Sequence, residues 1–188
     1  KVFDYAINNT GVIEAKNIVA HNGIVELTAE GAPIYNIGKI EAGKVKIATD
    51  SGFINKGIID VSGSLVSPDG GKALITAMTI LQQGVISANA LENGTAGEVS
   101  LVSQASTVLD EGSSTEARAL GLAGNGGRIL IDSTGGNTVV NRTAVIDVSS
   151  GAISGNAGYI EVGAFDQLGF YGILNGRAPP GYNAATVL

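Results

Sequence analysis

The sequence predicts an all-β protein, a right-handed, single-chain parallel β-helix of about seven coils. Three observations carry this prediction. Glycine is about twice as frequent as its usual ~7%. Short phrases of apolar and polar residues recur along the 188-residue chain. Within each phrase the two kinds alternate with period two, the pattern of a strand and not of a helix.

The first phrase, Gly-x-Ile-x-Ala or Val, occurs at 11–15, 38–42, 57–61 and 84–88, and with Ala for Gly at 144–148. Alternation points Ile13, Ile40, Ile59, Ile86 and Ile146 inward, and Glu14, Glu41, Asp60, Ser87 and Asp147 outward. The second phrase, Gly-x-Val-x-Leu-x-Ala, has copies at 23–29, 43–49, 71–77, 97–103, 127–133 and 158–164. Its inward row is Val25, Val45, Ala73, Val99, Ile129 and Ile160, with Leu27, Ile47 and Leu101 two residues on. A third, weaker element ends on an amide or acid: Asn9, Asn36, Asn55, Gln82 and Asp110, with Asn141 a near match. Strands this short cannot pair within their own repeat. They pair in parallel with the equivalent strand of the next coil, ~4.8 Å away. The row Asn9, Asn36, Asn55, Gln82 is expected to stack amide on amide at a corner, satisfying backbone groups there. Residues 104–126 break the repeat and are expected to bulge from the single 1–188 domain as a loop or short helix. A β-sandwich is the competing fold, but its strands rarely repeat one side-chain pattern at matching positions.

Composition excludes several functions. A net charge of −6 with scattered basic residues argues against a nucleic-acid surface. Without cysteine there are no disulfides, thiolate metal sites or thiol catalysis. No apolar run approaches the ~18 residues of a membrane span, so no membrane insertion is expected. The start at Lys1-Val2-Phe3-Asp4 and the apolar finish at Ala185-Thr186-Val187-Leu188 suggest a segment of a longer protein.

Candidate chemistry is sparse, and no cofactor is implied. The outward acids form a solvated face, screened by Lys39, Lys44, Lys46 and Lys56, or else a Ca²⁺ site. For a polysaccharide-active enzyme the best candidates are Asp110, Glu111, Glu116 and Arg118, because long insertions are where solenoids place function. His21 reads as a surface turn residue, and Gly124-Asn125-Gly126-Gly127 as a turn instead of a phosphate cradle. The sequons at Asn8, Asn93 and Asn141 are about as many as chance provides. Phe165, Phe170, Tyr171 and Tyr182 suggest a wider core or a contact surface for a following segment.

The stretch Ala6-Ile7-Asn8-Asn9-Thr10-Gly11-Val12-Ile13-Glu14-Ala15-Lys16, followed by His21-Asn22-Gly23-Ile24-Val25-Glu26-Leu27, resembles filamentous-haemagglutinin-type exoproteins of the two-partner secretion class. Residues 144–162 and 184–188 are similar to other recurring phrases of that family, and the likeness is weakest across 104–126. The family's secretion-domain motif, Asn-Pro-Asn followed by Gly or Leu, is absent, which places the chain in the shaft. The resemblance implies export to the surface of a Gram-negative-type bacterium and a role in adhesion, aggregation or biofilm. Expected partners are neighbouring coils of the parent protein, other copies of itself, and host or matrix glycans. The alternatives are a self-assembling extracellular filament or surface-layer subunit, and the polysaccharide-active enzyme.

Overall fold

A computed structural model describes residues 7–15 and 23–188; His21 lies outside them. Every ladder between strands is parallel, and there is no helix among the described residues. The chain is a parallel β-solenoid, and all-parallel stacking rules out the sandwich. The five copies of the first phrase, with Ser114–Glu116 and Ile173–Asn175, build a narrow sheet of seven strands: Val12–Ala15, Lys39–Ala42, Ile58–Asp60, Val85–Ser87, Ser114–Glu116, Val145–Asp147 and Ile173–Asn175. Seven strands at ~4.8 Å spacing make a rod about 30 Å long. The second phrase and the third element together form a wide sheet of 12 strands. They share one sheet because they fuse into single strands at Lys72–Gln82 and Glu98–Leu109.

The inward rows fall where alternation puts them. Ile40, Ile59, Ile86 and Ile146 are fully buried, as are Val45, Ala73, Val99, Ile129 and Ile160. Each Val or Ile so buried contributes about 1.5–3 kcal/mol of transfer free energy. Leu27 departs from expectation. It is half-buried, whereas Ile47 and Leu101 are buried. Phe165, Tyr171 and Tyr182 are exposed and do not widen the core; only Phe170 packs against it.

Most polar groups inside the stack are satisfied from coil to coil; the Thr115 hydroxyl and Gln83 Oε1 are not. Asn9 Nδ2 donates to Asn36 Oδ1 at 2.8 Å, Asn36 Nδ2 to Asn55 Oδ1 at 2.7 Å, and Asn55 Nδ2 to Gln82 Oε1 at 2.8 Å. This is the expected amide row. It stops at Gln82, because Leu109 and not Asp110 takes the matching position in the next coil. A second ladder, of buried hydroxyls, links Ser103 to Ser133 at 2.9 Å, with Thr107 donating to Ser103 and Thr138 to Ser133.

Glycine sets the corners by close approach. A Cβ on Gly38 would sit on the carbonyl oxygen of Gly11, one on Gly57 on that of Gly38, and one on Gly84 on that of Gly57. Where this row reaches Ser113 and Ala144 the turn before it is longer, and a side chain fits.

The expected insertion at 104–126 is overturned. Residues 104–109 continue the strand Glu98–Leu109, and Ser114–Glu116 belongs to the narrow sheet. Residues 117–126 follow the preceding coil through the bridges Ala90–Ala119 and Thr95–Asn125. This coil is longer than its predecessor because it swells in three places: a register shift between Ser103 and Ser106, a wider corner around Gly112, and a longer loop between Ala119 and Asn125. Ladder partners are accordingly 20 residues apart at Glu26 and Lys46, 26 at Lys72 and Glu98, and 31 at Asp110 and Asn141. Inward positions stay aligned while turns absorb the difference.

Candidate functional site

Register on the narrow sheet aligns Glu41, Asp60, Ser87, Glu116, Asp147 and Asn175 in one outward row, with Glu14 at the register position before Glu41 and its side chain outside the described residues. Carboxylates one coil apart repel, so each described acid carries its own compensation. Lys39 forms an ion pair with Glu41. Asp60 Oδ1 accepts from Ser87 Oγ and from the Ser62 amide, both at 3.0 Å. Asp147 Oδ1 accepts from the Ser149 amide at 2.8 Å. Of the other lysines expected to screen this row, Lys46 pairs with Glu26 at 2.7 Å and Lys56 lies over the Tyr35 ring at 5.8 Å. Lys44 begins a strand of the wide sheet.

Glu116 is the centre of this track. Its Oε1 accepts from Ser114 Oγ at 2.7 Å; its Oε2 accepts from Asn89 Nδ2 at 3.1 Å and Arg118 Nε at 3.0 Å. Arg118 also reaches the next coil, with Nη1 at 3.9 Å from Asp147 Oδ2. A second row runs alongside. The Asn89 amide donates to Ser62 Oγ, the Arg118 amide to Asn89 Oδ1 and the Arg177 amide to Ser149 Oγ. Burial alone would raise the Glu116 pKa. The hydrogen bonds from Ser114 and Asn89, with the Arg118 charge, outweigh it and hold the carboxyl below its ordinary range. Glu116 is therefore an ionised acceptor at neutral pH and unsuited to act as a general acid.

The four candidates from the sequence do not converge. Glu116 and Arg118 meet; Asp110 and Glu111 lie in the turn before them, across the corner between the sheets. Asp110 accepts from Gln83 Nε2 at 2.7 Å, the Glu111 amide at 2.9 Å and Asn141 Nδ2 at 3.1 Å. The Gln83 bond, then those from Glu111 and Asn141, lower its pKa. Glu111 is exposed beside Gly112 (φ 75°). Sequence reasoning missed Asn89, Ser114 and Asp147 as partners. The usable signal was Ser114-Thr115-Glu116, which keeps the first phrase's alternation with Thr in the Ile position.

A shallow cavity of about 420 Å³ lies at another corner, between Asp69, Lys72, Glu98 and Arg128. Lys72 pairs with Glu98 at 2.9 Å, and Arg128 rests 5.1 Å from the Tyr159 ring centre. These charges are spent within the stack. Among the described residues no group of three or more His, Cys, Asp or Glu could hold a metal ion. The Gly124-Asn125-Gly126-Gly127 segment, expected to be a turn, instead bridges the preceding coil at Asn125 and leads into the strand Arg128–Ser133, with Gly124 at φ 130°.

No family model matches the chain, and neither a curated protein nor a solved structure matches it. What the track offers is fixed charge and hydrogen bonding along the rod axis.

Proposed function

We propose that the chain is a structural shaft segment of a secreted cell-surface exoprotein of the filamentous-haemagglutinin type, serving adhesion, aggregation or biofilm on a Gram-negative-type bacterium. One observation carries the reading: rows of polar side chains pair from coil to coil along the stack. The amide ladder, the Ser103–Ser133 hydroxyl link and the Lys46–Glu26 and Lys72–Glu98 pairs all run along the axis. Catalysis needs groups converging on one substrate atom; axial pairing builds length and stiffness instead. The natural partners of such a shaft are adjoining coils, other copies and surface glycans. Stretched between tethers on its two ends, the chain should resist load and then lengthen in steps of one coil. A chain that yields at forces typical of an unstructured linker would refute the reading.

Two alternatives each have an observation behind them. For an end-to-end filament it is the all-parallel stacking, in which a strand of one copy could pair with an equivalent strand of another as neighbouring coils do. For a polysaccharide-active enzyme it is the pairing of Glu116 and Asp147 on adjacent coils. A screen against acidic and neutral polysaccharides separates the enzyme from the shaft. Turnover lost in Glu116→Gln would promote the track to an active site.

A further inference from the structure

After the narrow sheet each longer coil returns to the wide sheet through a loop, and these loops stack into one edge of the rod. The Leu91 amide donates to the Pro68 carbonyl at 2.8 Å, Leu120 to Ala90 at 3.0 Å, and Ile153 to Leu122 at 2.7 Å. The bridge Ala123–Ser154 continues the stack. Along this edge stand Leu65 (82% exposed), Val66 (75%), Leu120 (48%), Leu122 (67%), Ile153 (65%) and Tyr182 (45%). Consecutive apolar residues at such exposure are unusual on a monomer surface and mark an interaction site.

The charges around this ridge favour one occupant. Residues 119–127 and 148–158 contain no ionisable side chain. Exposed Asp69 and Glu92 lie towards one end of the stacked loops, and exposed Arg177 lies on the last coil. An anionic lipid surface would call for a basic face beside the apolar one; here the central loops carry one base, Arg118, already paired with Glu116, and the chain's net charge is −6. A second copy fits better. An antiparallel pair with its two-fold axis between the Leu122 and Ile153 loops lays the ridge against itself. The same operation carries the acidic end of each copy to the basic end of the other.

We propose that the chain pairs side by side with a second, antiparallel copy through the Leu120, Leu122 and Ile153 ridge, with Glu92 of each copy facing Arg177 of the other. This pairing is distinct from the shaft role and from end-to-end stacking.

The test is sedimentation of the whole chain across a concentration series, with four variants: Leu122→Asp/Ile153→Asp, Glu92→Arg, Arg177→Glu, and the last two combined. The wild type should form a dimer. The double Asp variant should weaken it by on the order of a hundredfold or more while leaving the melting curve in place at concentrations too low for pairing, because both side chains are largely exposed. Each single charge reversal should weaken the dimer and the combined reversal restore it. A wild type that stays monomeric overturns the proposal. So does association that survives the double Asp variant, which would mark an end-to-end contact. Charge reversals that weaken pairing without rescue in combination overturn the antiparallel geometry. Binding to anionic vesicles that is lost in the double Asp variant, with no dimer in solution, would reassign the ridge to a membrane.

Discussion

Gly11 and Gly57 occupy the same place in the same phrase and the same corner row, yet replacing each by alanine should have opposite consequences. At Gly57 the new Cβ would lie on the Gly38 carbonyl oxygen, with backbone of Ile37 and Gly38 also inside contact distance. At Gly11, among the described residues, nothing lies within 4 Å. Neither glycine has a left-handed φ, so the comparison isolates the close approach between coils. Relieving the clash at Gly57 means lifting one coil off another. Overpacking of this kind costs about 1–3 kcal/mol. The lift also strains the hydrogen bonds from the Gly57 amide to Asn36 (3.0 Å) and from the Ile58 amide to Gly38 (2.9 Å), each worth about 1 kcal/mol. The total is about 3–5 kcal/mol, or a melting temperature lower by roughly 10 °C in a chain of this size. Gly11→Ala should be neutral or raise stability by up to about 1 kcal/mol, through a less flexible unfolded chain. Thermal and urea unfolding followed by circular dichroism reads both. Equal shifts, or a Gly57→Ala protein that melts with the wild type, would show that coil spacing is not what requires glycine.

Three further outcomes can be checked by the same unfolding measurements. Asn55→Leu should cost about 3–5 kcal/mol, because it strands Asn36 Nδ2 and Gln82 Oε1 in the buried row; Asn9→Leu, at the ladder's end, should cost less than half as much. Thr115→Val should raise stability by about 1 kcal/mol, since the Thr115 hydroxyl is fully buried without a partner between Ile86 and Ile146. Glu116 has a folded pKa below its ordinary 4.5. Its contribution is therefore complete above that value and is lost as pH falls through the folded pKa; Glu116→Gln should flatten the acid limb of the stability profile, and an unchanged limb would count against the track's charge network.

The fold was legible because a solenoid writes its cross-section into the sequence many times over. Strand positions, the inward rows and the amide ladder all follow from period-two alternation and from matching Asn9, Asn36, Asn55 and Gln82. Residues 104–126 misled for a physical reason. Stacking constrains what faces inward, and both Ser113 for Gly and Thr115 for Ile keep the strand while erasing the phrase. The hydroxyl ladder of Ser103, Thr107, Ser133 and Thr138 was hidden likewise, because hydroxyl residues are ordinary on outward faces too. The candidate site was only half visible. Glu116 and Arg118 are neighbours within one strand and its exit, whereas Asn89 and Asp147 reach them from the coils on either side. Such contacts depend on register, which varies here from 19 to 31 residues per coil.

The amide ladder also gives the rod an electrical direction. Each of its three links has the nitrogen on the earlier coil and the oxygen on the later one, so the four side-chain dipoles line up head to tail. Each bond polarises the next, and chains of this kind strengthen cooperatively in a low-dielectric interior. Gln82, one methylene longer than asparagine, ends the series by turning its Nε2 to the carbonyls of Gly84 (3.0 Å) and Ser114 (3.3 Å). The current of donors thus runs into the backbone, and Leu109 on the following coil meets no orphaned amide. Reversing a single member, with its nitrogen facing its neighbour's nitrogen, would break the series at two points at once. A coil inserted into this stretch must therefore bring an amide of the same sense, or the ladder splits into two shorter and less polarised segments.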